Sequence, residues 1–372
     1  MNSGSGIENI INIYTTRTNY ENIKITPGRK ISIKAAYIVI NGDSIIPERI
    51  NTRGQTTLGY RRKSFSFSLE TKAAFHHRGK TESFKKFFAL SLSMDRIYIN
   101  NRIAFEMMET LSLFHLYYTF CELRINDQSE GVYMIMERPE DWAIKKNNSP
   151  VMLRRGYNED IVKTEINKNI TKDEIKIYRS NYRKIYSSLS RYEGEELYKT
   201  LSGLIDLDSY MRWLAFNFYV HNSDYTDEVY LYIDPQNKKF NIIPWDYDDL
   251  FSKAPHEGYG EGRKLQGEKL IFSAEDLLDQ KIASDPFLYK VYLTRFRELL
   301  GQLSPDVIKK TIENTFTELY PYYINQEIIG MSKSDRYPNA NLDNLKDYLT
   351  TVYTHLIATR NFYLNYLESR IN

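Results

Sequence analysis

The sequence predicts an α+β chain, rich in strands over its first third and in helices afterwards. Three observations carry this. Short runs of β-branched and aromatic residues crowd residues 10–70. From Arg102 onward the apolar residues change to a spacing of three and four. Hydrophobic residues make up 42% and charged residues 26%, enough to build a packed core. The 372 residues suffice for one large domain of two lobes or for two domains. The expected division is an N-terminal extension over 1–29 with one candidate strand, a β-rich lobe over 30–140, and a helical lobe over 141–372.

Taken in order, residues 10–15, 30–40 and 64–70 read as strands, with turns at Asn41-Gly42 and at Gly59. Between Arg102 and Phe114, the residues Ile103, Met107, Leu111 and Phe114 share one helical face. Residues 120–126 and 131–137 then predict a hairpin around the polar loop DQSE. Beyond it the chain reads as largely helical. A polar amphipathic helix covers 173–189, and Asp206-Leu207-Asp208 caps a helix through MRWLAFNFYV. Two short strands, 229–234 and 240–245, flank the turn Pro235-Gln236-Asn237. Residues 252–268, rich in glycine and charge, predict a mobile loop, and helical patterns continue to the end.

Composition limits the functions. Lysine and arginine exceed aspartate and glutamate by only 50 to 48, so nucleic acid is not an expected partner. Cys121 is the single cysteine, which excludes an internal disulfide and a zinc site needing several thiolates. The best apolar run, Tyr210 to Val220, is broken by Arg212 and Asn217 and falls short of the ~20 residues a membrane helix needs, so no membrane span is expected. No signal-peptide pattern opens the chain. Its compartment is left unassigned: cytoplasm, or cell surface or spore coat if a signal was removed.

The chemistry concentrates in HNSDYTDEVYLYIDPQNKKFNIIPWDYDDL, residues 221–250. Asp224 precedes the second hairpin, and Asp246 and Asp248 follow it. A hairpin returns the chain to its start, so these carboxylates can converge. Mg²⁺ takes oxygen ligands and is usually held by one or two carboxylates together with substrate phosphates. Turn-forming aspartates at strand ends would look the same in isolation. A second stretch, RGQTTLGYRRKSFSFSL at 53–69, puts Arg53, Gly54 and Gly59 before a strand predicted to contain Arg61, Arg62 and Lys63. A glycine-bearing turn beside cations suits phosphate. An edge strand protected by cations is the competing explanation.

Together these segments resemble the CotH family, the spore-coat protein H-like atypical protein kinases, from about residue 30 to the end. RGQTTLGYRRKSF is similar to that family's arginine-glycine-asparagine-serine-threonine segment with its lysine. DRIYINNRIAFEMM is similar to its arginine-asparagine helix, and FCELRINDQSEGVYMIME to its central hairpin. IDLDSYMRWLAFNFYVHNSD resembles the helix ending in N-x-D, and IIPWDYD the proline-tryptophan-aspartate element. The resemblance implies a two-lobed kinase-like fold that uses ATP with Mg²⁺ or Mn²⁺ to phosphorylate Ser or Thr hydroxyls of a protein substrate. It implies Asp224 as the catalytic aspartate and Asp246, with Asp248, as metal ligands. Lys63, Arg62, Arg53 and Glu137 fall to the nucleotide. The sequence departs from the family at Gln55, where Asn is usual. It departs again at Tyr225–Val229, where Asp227 or Glu228 replaces a metal-binding Asn. A kinase-like surface binding protein (a pseudokinase or adhesin) and a small-molecule phosphotransferase are the alternatives.

Lesser candidates have plainer expectations. Glu106 and Glu109 could pair with Lys63 but read as solvent-facing. Arg154 and Arg155 read as surface residues, and His76-His77 as part of a polar loop. Arg360 reads as a structural brace through a buried ion pair, and Trp213 and Trp245 as core. Gly258, Gly260 and Gly262 fall in the predicted loop, as at most an activation-loop analogue.

Overall fold

The computed structural model describes residues 6–25, 28–156, 158–226, 229–255, 268–273, 275–332 and 340–371. The chain is α+β, and its contacts divide it into two units that interleave along the sequence. The first comprises Met1–Arg102, Leu116–Arg138 and Ile312–Thr351; the second comprises Ile103–His115, Pro139–Thr311 and Val352–Asn372.

The first unit is built on a nine-stranded sheet. Its strands are β1 (Ile10–Thr15), β2 (Ser32–Ile33), β3 (Ala35–Ile40), β4 (Asp43–Ile45), β5 (Pro47–Arg53), β6 (Ser64–His77), β7 (Lys80–Leu90), β8 (Tyr118–Ile125) and β9 (Gln128–Glu137). They lie in the order β2-β5-β6-β7-β9-β8-β1-β3-β4. The pairing of β1 with β8 is parallel and the others are antiparallel. The candidate strand of the expected N-terminal extension is β1, an interior strand of this sheet. Asn41 and Gly42 both have positive φ, as a two-residue hairpin turn between β3 and β4 requires. The same turn chemistry corrects the DQSE loop. The turn is Asn126-Asp127, with φ of 50° and 66°, and Gln128 to Glu130 already belong to β9.

The core of this unit is aliphatic and aromatic. Phe67 stacks on Phe87 at 4.8 Å, and Phe87 meets Phe75 edge-on at 4.9 Å. Such pairs add about 0.5–1.5 kcal/mol beyond area burial. Cys121 on β8 is fully buried, which pushes its thiol well above the ordinary range. Gly131 explains one glycine of the predicted hairpin. Its φ is +92°, and a Cβ there would fall 2.7 Å from the Cα of Ser332 in the helix Gln326–Ser332. Asp95 accepts from the backbone N–H groups of Asn100 and Asn101 at the start of the helix Asn100–Thr110. Arg102, fully buried, pairs with Glu318, which also holds Arg78.

The second unit contains a four-stranded sheet in the order β11-β10-β12-β13. Here β10 is Val151–Arg155, β11 Ile161–Ile166, β12 Tyr230–Ile233 and β13 Phe240–Ile243. The reading of the chain after residue 137 as largely helical named only the second hairpin and therefore missed two strands. The helices Lys172–Ser188, Gly194–Ser202, Leu207–Tyr219, Leu277–Ser284 and Pro286–Gln302 complete the unit's interior. Thr171 and Glu174 form a capping box, and Asp206 caps Leu207–Tyr219 by accepting from the N–H of Ser209. Trp213 and Trp245 are core residues, as expected. Arg360 braces the unit, and among the described residues it does so through carbonyls in place of an ion pair. Its Nε donates to the carbonyls of Leu300 and Leu303, which end the helix Pro286–Gln302. Among the described residues, no helix is long and apolar enough to cross a membrane.

Candidate functional site

The position of Asp224 follows from the helix before it. Leu207–Tyr219 is apolar on nearly every side and buried. Its one interior amide, Asn217, donates back to the Trp213 carbonyl and accepts from the side chain of Asn222 at 3.1 Å. The side-chain oxygen Oδ1 of Asn222 in turn accepts the Asp224 N–H at 3.3 Å. Asn217 and Asn222 are both fully buried, so this polar chain fixes the exit of the helix from within. His221, which opens the segment, stacks on Phe272 at 5.1 Å. Burial, and then the adjacent His355, push His221 down to about 4, so it stays neutral near pH 7.

The segment after β13 is fixed to the same helix. Tyr247 is buried, and its hydroxyl accepts the Trp213 indole N–H at 3.0 Å. The flanking residues Asp246 and Asp248 are half-buried, and Asp246 has a φ of +57°. An aspartate in the left-handed region is tolerated at a small cost and re-aims its side chain. Backbone rungs then lace the two segments together. The N–H of Ser223 donates to the Asp249 carbonyl at 3.2 Å, that of Phe251 to Val220 at 2.9 Å, and that of Ser252 to His221 at 3.2 Å. The Ser223 hydroxyl also donates to the Asp249 carboxylate. The loop carrying Asp224 thus lies against the loop carrying Asp246 and Asp248, as the returning hairpin predicts.

Asp227 and Glu228, the other two candidate ligands, lie outside the described residues. So do Gly258, Gly260 and Gly262. Among the described residues, no group of three or more His, Cys, Asp or Glu side chains is arranged to hold a metal unaided. Mg²⁺ does not need such a cage, since it is commonly held by one or two carboxylates with phosphate and water completing the shell. Half-buried oxygen donors on two joined loops fit that pattern.

The cations of the first unit sit differently from the sequence expectation. β6 begins at Ser64, so Arg61, Arg62 and Lys63 precede the strand instead of lying on it. Lys63 is 2% exposed, and its ammonium donates to the carbonyls of Leu58 and Tyr60, the latter at 2.6 Å. Arg62 is buried against the rings of Tyr98 and Tyr133. It donates to the carbonyls of Glu130 at 3.1 Å, Ser332 at 3.0 Å and Val132. Gly54 closes the turn with a φ of +114°, where a Cβ would collide with the Thr57 hydroxyl. Arg53 ends β5 and lies 3.9 Å over the Phe88 ring, which Arg138 also approaches. Glu137 is buried and accepts the Tyr117 N–H at 3.0 Å.

The lesser candidates divide. Glu109 is exposed as expected, but Glu106 is buried. His76 and His77 end β6 and are not in a loop, with His76 bonded to the Thr81 hydroxyl. Arg154 is half-buried near the Tyr230 ring, whereas Arg155 is 1% exposed and pairs with Asp276. The reading of both as surface arginines therefore fails for Arg155. The signal was the apolar run Val151-Met152-Leu153 leading into Arg154-Arg155.

The family model described as CotH kinase protein matches residues 50–356 of this chain. The chain belongs to that family. Among curated proteins it is similar to the inner spore coat protein H of Bacillus subtilis (strain 168), with 20% identity over 286 residues covering 72% of each chain. Among solved structures it is similar to a chain of the Shewanella oneidensis MR-1 HipA, HipB and operator DNA complex, at 12% identity and a TM-score of 0.36. That match covers 81% of this chain but only 65% of the other, a likeness too small to bear on the fold.

Proposed function

We propose that this chain transfers the γ-phosphoryl group of ATP to a Ser or Thr hydroxyl of a protein substrate, using Mg²⁺ or Mn²⁺. The observation that supports it best is the lacing of the Asp224 loop to the Asp246–Asp248 loop. In this reading Asp224 orients the acceptor hydroxyl and takes its proton. The acceptor oxygen bonds to the γ-phosphorus, the bond to the bridging oxygen breaks, and ADP leaves. Asp246, with Asp248, would hold the cation, and Asp227 or Glu228 would add a ligand. The bound cation supplies charge neutralisation at the phosphate oxygens. Lys63 exchanges its two turn carbonyls for phosphate oxygens, Arg53 and Glu137 border the nucleotide, and Arg62 holds the turn in shape.

A matched pair of variants tests this. Asp246→Asn removes a charged ligand, so metal-nucleotide affinity and transfer are both lost. Asp224→Asn retains nucleotide affinity while transfer falls by about 10²–10⁴-fold, the usual contribution of a general base. Calorimetry with and without Mg²⁺ and a phosphorylation assay read the two effects. Equal loss of affinity in both variants would make Asp224 a metal ligand too. A parent protein that phosphorylates no acceptor with either metal would favour a kinase-like binding protein.

A further inference from the structure

Within the second unit, one buried charge cluster has no part in the roles assigned above. Arg155 ends β10, and its Nη1 donates to the Tyr210 hydroxyl at 2.7 Å and lies 3.4 Å from the Asp276 carboxylate. Tyr210 donates its own hydrogen to Asp279 at 2.7 Å, and Tyr186 donates to Asp276 at 3.0 Å. Asp276 and Asp279 are both fully buried. Burying two carboxylates against one guanidinium is costly, and an apolar cluster of equal volume would pack as well or better. Burial, and then the charge of Asp276, push Asp279 up to about 7, which brings the cluster closer to neutral.

The remaining arm of Arg155 leaves the cluster. Its Nη2 donates to the backbone carbonyl of Thr226 at 3.0 Å, two residues beyond Asp224. The intervening Tyr225 is gripped as well. Its hydroxyl accepts the Ser273 N–H at 3.1 Å and donates to the Ser273 carbonyl at 3.3 Å. The Thr226 hydroxyl donates to that of Ser273 at 3.2 Å. Asp224 is therefore held from its N-terminal side by Asn222 and from its C-terminal side by Arg155 and Ser273.

We propose that Arg155 is a positioning residue for Asp224, acting through the Thr226 carbonyl, and that Asp276 and Tyr210 aim its guanidinium. The proposal rests on the phosphotransfer reading for its kinetic part only. Arg155→Lys keeps the charge but lacks the fork that reaches a carboxylate, a hydroxyl and a carbonyl together. Its turnover should fall on the order of 10–100-fold, as for a small misplacement of a reacting group. The KM for ATP should stay within about twofold, because only transition-state alignment is lost. Amide hydrogen exchange over 222–226 should quicken while exchange in β12 and β13 does not. Tyr225→Phe removes a single hydroxyl and should show the same split, several-fold smaller; it serves if Arg155→Lys does not fold. Unchanged turnover together with unchanged exchange over 222–226 would overturn the proposal. If the parent protein transfers no phosphate, the phosphotransfer reading fails, and the exchange measurement still decides whether Arg155 holds the loop.

Discussion

The turn at 53–63 and the laced loops at 220–252 solve opposite problems. In the first, charged side chains hold the backbone: Arg62 gathers carbonyls from Glu130, Val132 and Ser332, and Lys63 closes its own turn. In the second, backbone rungs and buried amides hold the chain, with Arg155 as the single charged grip on it named above, and Asp224, Asp246 and Asp248 are left half-buried. A charge that carries backbone is stability first. A charge carried by backbone can be given to a ligand.

Stability measurements can break this contrast. Arg62→Met strands several buried carbonyls, so chemical denaturation should show a loss of about 3–5 kcal/mol. Asp246→Asn, which abolishes function in the proposed reading, should lower stability by no more than about 1 kcal/mol, because the residue is only half-buried and the amide keeps the shape of the carboxylate. Comparable losses in the two variants would erase the distinction. Lys63→Met sits between the regions in kind. Its two carbonyl partners lie in one short turn, and in the proposed reading the main loss appears in nucleotide affinity, at about 1–3 kcal/mol for a charged hydrogen bond. Calorimetric titration with ATP and Mg²⁺ would show it, and parent-like affinity would remove Lys63 from the nucleotide site.

A further effect concerns pH. Burial pushes Asp95 up to about 7, against the hydrogen bonds it accepts from Asn100 and Asn101, which act to lower it. From about 4 upward the unfolded chain has released this proton while the folded chain keeps it. Stability is therefore lost as pH rises from about 4 to about 7 and is flat beyond. Asp95→Asn stays neutral throughout, so its unfolding free energy should differ less between pH 5 and pH 8 than that of the parent. Parallel pH profiles would sink the assignment.

The second hairpin was legible because its apolar strands, its turn and its flanking aspartates all lie within 30 residues of sequence. Asn41-Gly42 was legible because only a few residue pairs accept two positive φ values. Asn126-Asp127 uses the same chemistry without a glycine, and the polar run after it disguised the start of β9. β10 and β11 were missed for a different reason. Val151–Arg155 is short and ends in two charges, and β11 leaves Ile161 and Val162 exposed, so neither shows clean alternation. The partners of Arg62 and Arg155 were beyond reach. Carbonyls carry no mark in a sequence, and Asp276 and Asp279 lie more than a hundred residues from the arginine they surround. The family resemblance located the aspartates but did not indicate what orients them.

The buried Cys121 has a practical consequence. It is the only sulfhydryl in the chain, and it sits on β8 between β9 and β1, fully enclosed. A thiol reagent can reach it only when those strands part. The rate at which it is labelled thus counts openings of the first sheet, while the second unit contributes no signal at all. Nucleotide that slowed the labelling would report, on an unaltered chain and without any phosphorylation assay, that its binding makes the first sheet open less often.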